Sequence, residues 1–99
     1  MIGFRYLLPA EKELTEAARF YEGEADGLGA DFLDDVQRAV DRLREHPKLG
    51  QIVASDLRRT LLSRFPFSLI YAIEPEGLLI VAVAHQRQRP GYWQGRIAR

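Results

Sequence analysis

The chain has no cysteine, which removes disulfides, thiolate catalysis and cysteine-based zinc sites together. Its two histidines, His46 and His85, lie far apart among scattered acids with no metal-ligand spacing, so no metal and no other cofactor is expected. No apolar run approaches the length that spans a bilayer. Residues 1–9 turn into charged sequence too soon for the apolar region of a signal peptide, and the expectation is a soluble, cytoplasmic protein with no membrane partner. Gly-rich phosphate loops and serine-centred nucleophile motifs are missing as well. Lysine is scarce, with Lys12 and Lys48 alone.

What is present suits one modest domain over residues 1–99, with 46% hydrophobic residues and no internal repeat or linker. The net charge is zero but unevenly placed. Residues 1–50 carry seven Lys/Arg and eleven Asp/Glu, net −4, and residues 51–99 carry seven Arg and three acids, net +4. The basic half uses arginine only, the better side chain for bidentate contact with phosphate or carboxylate. That polarity predicts an acidic face and a basic face, the latter able to hold an anionic partner or simply to solvate strand ends.

The most informative stretch runs from Arg64 to Arg89. Two apolar runs rich in aromatic and β-branched residues flank the turn signal Glu-Pro-Glu-Gly at 74–77, a hairpin of buried strands. Phe65, Phe67, Leu69, Tyr71 and Ile73 line one face, and Ile70 and Ala72 keep the other apolar, as in a central pair covered on both sides. The second strand leaves the core through His85, Arg87 and Arg89.

Before the hairpin, Gly3 to Leu8 reads as a short strand. Pro9 suits the first turn of a helix, and Leu14, Ala17, Ala18, Tyr21 and Ala25 keep helical spacing to about Glu24. A second helix is predicted from about Leu28 to Glu45, with Phe32, Leu33, Val36, Ala39, Val40 and Leu43 as its apolar stripe. Asp31, Asp34 and Asp35 near its start and Arg42 and Arg44 near its end suit the helix dipole, and His46-Pro47 stops it. Lys48 to Asp56 is a loop or irregular strand. Leu57 to Leu62 is a strand, joined to the hairpin by a two-residue turn at Ser63-Arg64 that would set Arg58 near Leu69. Pro90-Gly91 ends the last strand, and Tyr92-Trp93 opens a tail that closes with Arg96 and Arg99. The fold class is α+β, in the order β-α-α-β-β-β, with a helical hairpin on a largely antiparallel sheet. The place of the first strand in that sheet is left open.

Among residues that carry chemistry, His85 is the sharpest candidate. A neutral imidazole flanked by guanidinium groups suits phosphodiester cleavage, with a base activating a 2′-hydroxyl and Arg stabilising the developing charge. The alternative is a capping histidine at the strand end. Arg58, Arg59, Arg64, Arg87, Arg89 and Arg96 form a second candidate, a phosphate- or target-binding surface, against the alternative of a solvated rim paired to the acidic helices. Tyr92 and Trp93 either stack on a nucleobase or anchor the tail, and for Trp93 anchoring is favoured.

In order along the chain, Glu-Ala-Ala-Arg-Phe-Tyr-Glu at 16–22, Gly-Leu-Gly-Ala-Asp-Phe-Leu at 27–33, His-Pro at 46–47 and Arg-Phe-Pro-Phe at 64–67 form one ordered set. Ile-Tyr at 70–71 and Val-Ala-His-Gln-Arg-Gln-Arg-Pro at 83–90 with Tyr92-Trp93 extend it. This set resembles the RelE/ParE superfamily of toxins from bacterial type II toxin–antitoxin systems. The resemblance implies a helical hairpin on an antiparallel sheet and a cognate antitoxin wrapped along the hairpin and the sheet edge. It also implies one of two activities. RelE-like members cleave mRNA on the ribosome; there Arg59 or Arg64 and Arg87 would hold the phosphate, His85 would act as base and Tyr92 would stack or assist. ParE-like members bind and inhibit DNA gyrase. The neutral charge and the near absence of lysine depart from the RelE-like pattern, so ParE-like target binding is preferred. A member that only binds its antitoxin and is not toxic is the third reading.

Overall fold

The two amphipathic segments fold as the hairpin that their spacing predicts. In the computed structural model, which describes residues 1–97, α1 spans Leu8–Glu24 and α2 spans Leu28–Glu45. Pro9 sits in the first turn of α1, where no N–H is needed. No side chain of its own caps α2. The Glu22 carboxylate of α1 does so instead, accepting the Gly27 and Gly29 N–H groups at 3.0 Å each. Gly29 also lets the helices touch, since a Cβ there would lie 2.6 Å from the Ala18 carbonyl oxygen. α2 buries Phe32, Val36, Ala39, Val40 and Leu43, whereas Leu33 lies at the edge of that stripe and is 42% exposed.

The strands are β1 (Phe4–Tyr6), β2 (Gln51–Ala54), β3 (Leu57–Leu61), β4 (Phe67–Glu74) and β5 (Gly77–His85), ordered β1-β5-β4-β3-β2. β1 lies parallel to β5 at one edge, and the remaining pairs are antiparallel. Residues 48–56 therefore contribute an additional strand, β2, preceded by a 3-10 turn at Pro47–Leu49. Its irregular register between Ile52 and Ala54 hides it from a simple alternation test. The Tyr71 hydroxyl holds that turn, donating to the Pro47 carbonyl at 2.6 Å and accepting from the Gly50 N–H at 2.8 Å.

The β3–β4 connection is longer than a two-residue turn. Arg58 pairs with Tyr71 rather than Leu69, and Thr60 takes the place opposite Leu69. Pro66 brings no N–H to a ladder, and the Asp35 carboxylate on α2 draws in the N–H groups of Arg64 and Phe65 at 2.9 and 3.1 Å. The β4–β5 turn is tight, and Gly77 adopts φ 138 where a Cβ would meet the Gly3 carbonyl.

The sheet is apolar on both faces. Toward the helices lie Phe67, Leu69, Tyr71, Leu78, Ile80 and Val83 with Phe32, Val36 and Leu43, and on the outer face lie Leu57, Ile70, Ala72, Leu79, Val81 and Trp93. A register irregularity sets Ile70 opposite Ala82 but Tyr71 opposite Ile80, which leaves Val81 as an extra residue in β5. The extra residue reverses the alternation, so that Val83 and then His85 turn toward the helix side, and the His85 ring meets Phe67 edge-on at 5.0 Å.

Candidate target-binding groove

On the outer face, away from the helices, the sheet and the segment after β5 enclose a groove of about 620 Å³. Its floor is Arg59, Leu61, Ser68, Ile70 and Ala84; residues 51–53 form one side, and residues 85–86 and 88–94 the other. Among the described residues, no Asp or Glu lines it. Arg59 from β3 and Arg89 from the far wall supply positive charge, and Gln51, Gln86, Gln88 and Gln94 supply amide donors and acceptors. The arrangement is an open, cation-bearing and amide-rich surface with the exposed side chain of Leu61 in its floor.

The structure gathers only some of the residues singled out from sequence. Arg59 and Arg89 share the groove, His85 stands at its rim, and Tyr92 and Trp93 form part of its wall. The His85 Nδ1 accepts the Arg87 N–H at 3.0 Å, which makes the ring a cap on the turn that follows β5. Arg87 is exposed in that turn. Arg58 donates to the carbonyls of Gly50 at 2.8 Å and Lys48 at 3.2 Å, fixing the approach to β2. Arg64 lies by the hairpin, 4.0 Å from Asp31 and over the Phe65 ring, away from the groove. Arg96 pairs with Glu13, and Arg99 lies outside the described residues. Trp93 is buried against the outer face.

Glu13 and Asp35 shape the site, although Asp35 was expected only to suit the helix dipole and Glu13 was not singled out for the site. Glu13 accepts the Val83 N–H at 3.0 Å, the Tyr92 hydroxyl at 2.6 Å and two Arg96 donors at 2.8 Å each. Burial opposes its ionisation, but the bonds from Arg96, Tyr92 and Val83 outweigh it and hold the carboxyl below the usual range. The same contact raises Arg96, and burial followed by the bond to Glu13 raises Tyr92. A signal was present for both acids. Glu13 sits three residues from Ala10 and four from Ala17, and Asp35 sits three from Phe32 and four from Ala39, so each carboxylate falls on an apolar stripe and needs a partner.

Among the described residues, no group of three or more His, Asp or Glu is placed to hold a metal ion, and no helix is long and apolar enough to cross a membrane. No curated protein sequence matches the chain. Among solved structures, the chain is similar to one from the chromosomal ParDE TA system from P. aeruginosa, with a TM-score of 0.71 at 18% identity, covering 86% of this chain and 96% of that one. That likeness fixes the shared fold, two helices on one face of the sheet. The family model for the ParE toxin of the type II toxin–antitoxin system, parDE, matches residues 4–90, the span from β1 to the far wall of the groove. The chain belongs to the ParE toxin family of type II toxin–antitoxin systems.

Proposed function

We propose that this toxin acts in the cytoplasm by binding a macromolecular target in the sheet groove, with DNA gyrase the preferred target, and that a cognate antitoxin neutralises it. The observation that carries this reading is the split among the candidate residues. Arg59 and Arg89 sit together in a groove that no Asp or Glu lines among the described residues. Of the groups that cleavage would need, His85 and Tyr92 border the same groove with polar atoms already engaged, and Arg64 and Arg87 lie outside it. His85 spends Nδ1 on a turn, the Tyr92 hydroxyl is committed to Glu13, and Arg64 belongs to the helix side. A nuclease needs base and phosphate clamp within reach of one scissile bond. A binding surface needs only complementary shape and charge.

The test is growth after induction without antitoxin, together with mapping of mRNA 5′ ends and a supercoiling assay with purified gyrase. Growth arrest with intact mRNA and blocked supercoiling is expected, with His85→Ala and Arg87→Ala as active as the parent and Arg59→Glu with Arg89→Glu inactive. New codon-phased mRNA ends that vanish in His85→Ala would overturn the reading in favour of a RelE-like nuclease. Unimpaired growth at full expression would leave only a partner for the antitoxin.

A further inference from the structure

A side-chain clasp joins the helix layer to the wall of the groove across one edge of the sheet. β1 covers β5 only as far as Ile80. Beyond it, the Val81 carbonyl and the Val83 N–H face outward, where a longer neighbouring strand would satisfy both. An ion pair does this instead. Arg96 Nη1 donates to the Val81 carbonyl at 3.0 Å, and Glu13 Oε1 accepts from the Val83 N–H at 3.0 Å. The two side chains join each other through parallel 2.8 Å bonds, and the Tyr92 hydroxyl closes on the second Glu13 oxygen at 2.6 Å.

Little else ties down the segment that carries Tyr92 and Arg96. Its backbone bonds run inward, Tyr92 N–H to Arg89, Gln94 N–H to Gly91 and Arg96 N–H to Trp93. Among the described residues, no backbone–backbone hydrogen bond links residues 89–97 to the sheet. The anchors are the clasp and the packing of Trp93, Tyr92 and Ile97 on the outer face.

We infer that Glu13 is a positioning residue for the groove. From α1, on the opposite face of the sheet, it latches residues 89–97 as a strap and so fixes the wall formed by Arg89, Tyr92 and Trp93. The inference rests on the reading of the groove as the surface that meets the target. It assigns to a helix residue an effect on target binding with no contact to the target.

Trp93 is the only tryptophan, so its emission reports the strap alone. In Glu13→Gln the emission should shift to the red and acrylamide quenching should rise severalfold, with far-UV circular dichroism unchanged and growth inhibition weakened at equal protein level. Tyr92→Phe, which removes one hydroxyl, should move both readouts in the same direction by less and serves if Glu13→Gln does not fold. Gly29→Ala, remote from the strap, should lower thermal stability without moving the native emission, which separates positioning from general destabilisation. Unmoved Trp93 emission in both clasp variants overturns the latch. If Arg59→Glu with Arg89→Glu abolishes growth arrest but a released strap does not, the positioning role fails and the groove reading stands. If those arginine changes leave arrest intact, the groove reading itself is refuted.

Discussion

Gly29→Ala sets two physical effects against each other at one position. Helix propensity alone favours the change, by at most about 1 kcal/mol, the Gly-to-Ala value for a helix interior, since Gly29 lies in the first turn of α2. The packing opposes it. A Cβ at Gly29 would meet the Ala18 carbonyl oxygen at 2.6 Å, with the Glu22 Cβ at 3.0 Å and its Oε1 at 3.1 Å, where ordinary contact begins near 3.4 Å. The nearest obstacle is backbone, so α1 and α2 must separate, and overpacking of this kind costs about 1–3 kcal/mol. Separation also stretches the bonds from the Gly27 and Gly29 N–H groups to the Glu22 carboxylate, charge-assisted contacts each worth about 1.5–3 kcal/mol. A net loss of about 2 kcal/mol follows, or roughly 8–16 °C in Tm at about 4–8 °C per kcal/mol for a domain of this size. Gly23 supplies the control, because it lies inside α1 with nothing within 4 Å of an added Cβ. Gly23→Ala should raise stability by about 0.5–1 kcal/mol. Calorimetric or circular-dichroism melts of the two variants decide the matter, and a Tm for Gly29→Ala at or above the parent's would refute the close-contact argument.

Tyr71→Phe should cost about 1–3 kcal/mol in denaturant unfolding, because it strips the buried Gly50 N–H of its acceptor and the Pro47 carbonyl of its donor. Asp35→Ala, which leaves the N–H groups of Arg64 and Phe65 without an acceptor, should cost at least as much, and Asp35→Asn should recover part of the loss by restoring one oxygen. The lowered pKa of Glu13, faced by Arg96 and Tyr92 from the strap and by the Val83 N–H of β5, predicts a stabilising contribution that is complete above the ordinary carboxylate value of 4.5 and is lost as pH falls through the lower folded value. Glu13→Gln should flatten that acid limb of the stability profile, and an unchanged limb would remove Glu13 as its source.

Local chemistry made the helices legible. Pro9 at the start of α1, and the early acids of α2 with His46-Pro47 at its end, mark these helices through dihedral limits and the helix dipole, which act within a turn of the residues concerned. In the sheet, β1, β3, β4 and β5 were legible as strands, most plainly β4 and β5, where both faces are apolar, whereas the pairing of the strands was not. The parallel placement of β1 against β5 is decided by packing of distant segments and leaves no mark in Phe4–Tyr6. The register of β3 on β4 depends on Asp35, 29 residues before Arg64 in sequence. The extra residue at Val81 turns His85 to the helix side, which no alternation count along Leu78–His85 reveals. Of the candidate site, residue types were legible and their convergence was not, since six arginines at strand ends are equivalent until the register assigns each to a face.

The opposite charges of the two halves of the chain become two layers, the acidic half forming the helical hairpin and the basic half the sheet and strap. Across the seams, charge meets charge at Arg96–Glu13 and at Arg64–Asp31. Only the first is short and largely sheltered from water; the second, at 4.0 Å between half-exposed side chains, is worth about 0–1 kcal/mol. Arg58 is committed to backbone carbonyls. Arg59, Arg87 and Arg89 remain, none in an ion pair among the described residues, and of the three Arg59 and Arg89 line the groove. Exposed cations without partners contribute little to folding, so Arg59→Glu and Arg89→Glu should each change stability by no more than about 0.5 kcal/mol. The same reversals place two carboxylates in a groove that has none, which repels an anionic target surface and slows its association. Unchanged melting with lost target binding is the expected pair of results. A large fall in Tm from both reversals would mean that these arginines hold the sheet together, and the groove would then have no cation free to meet a partner.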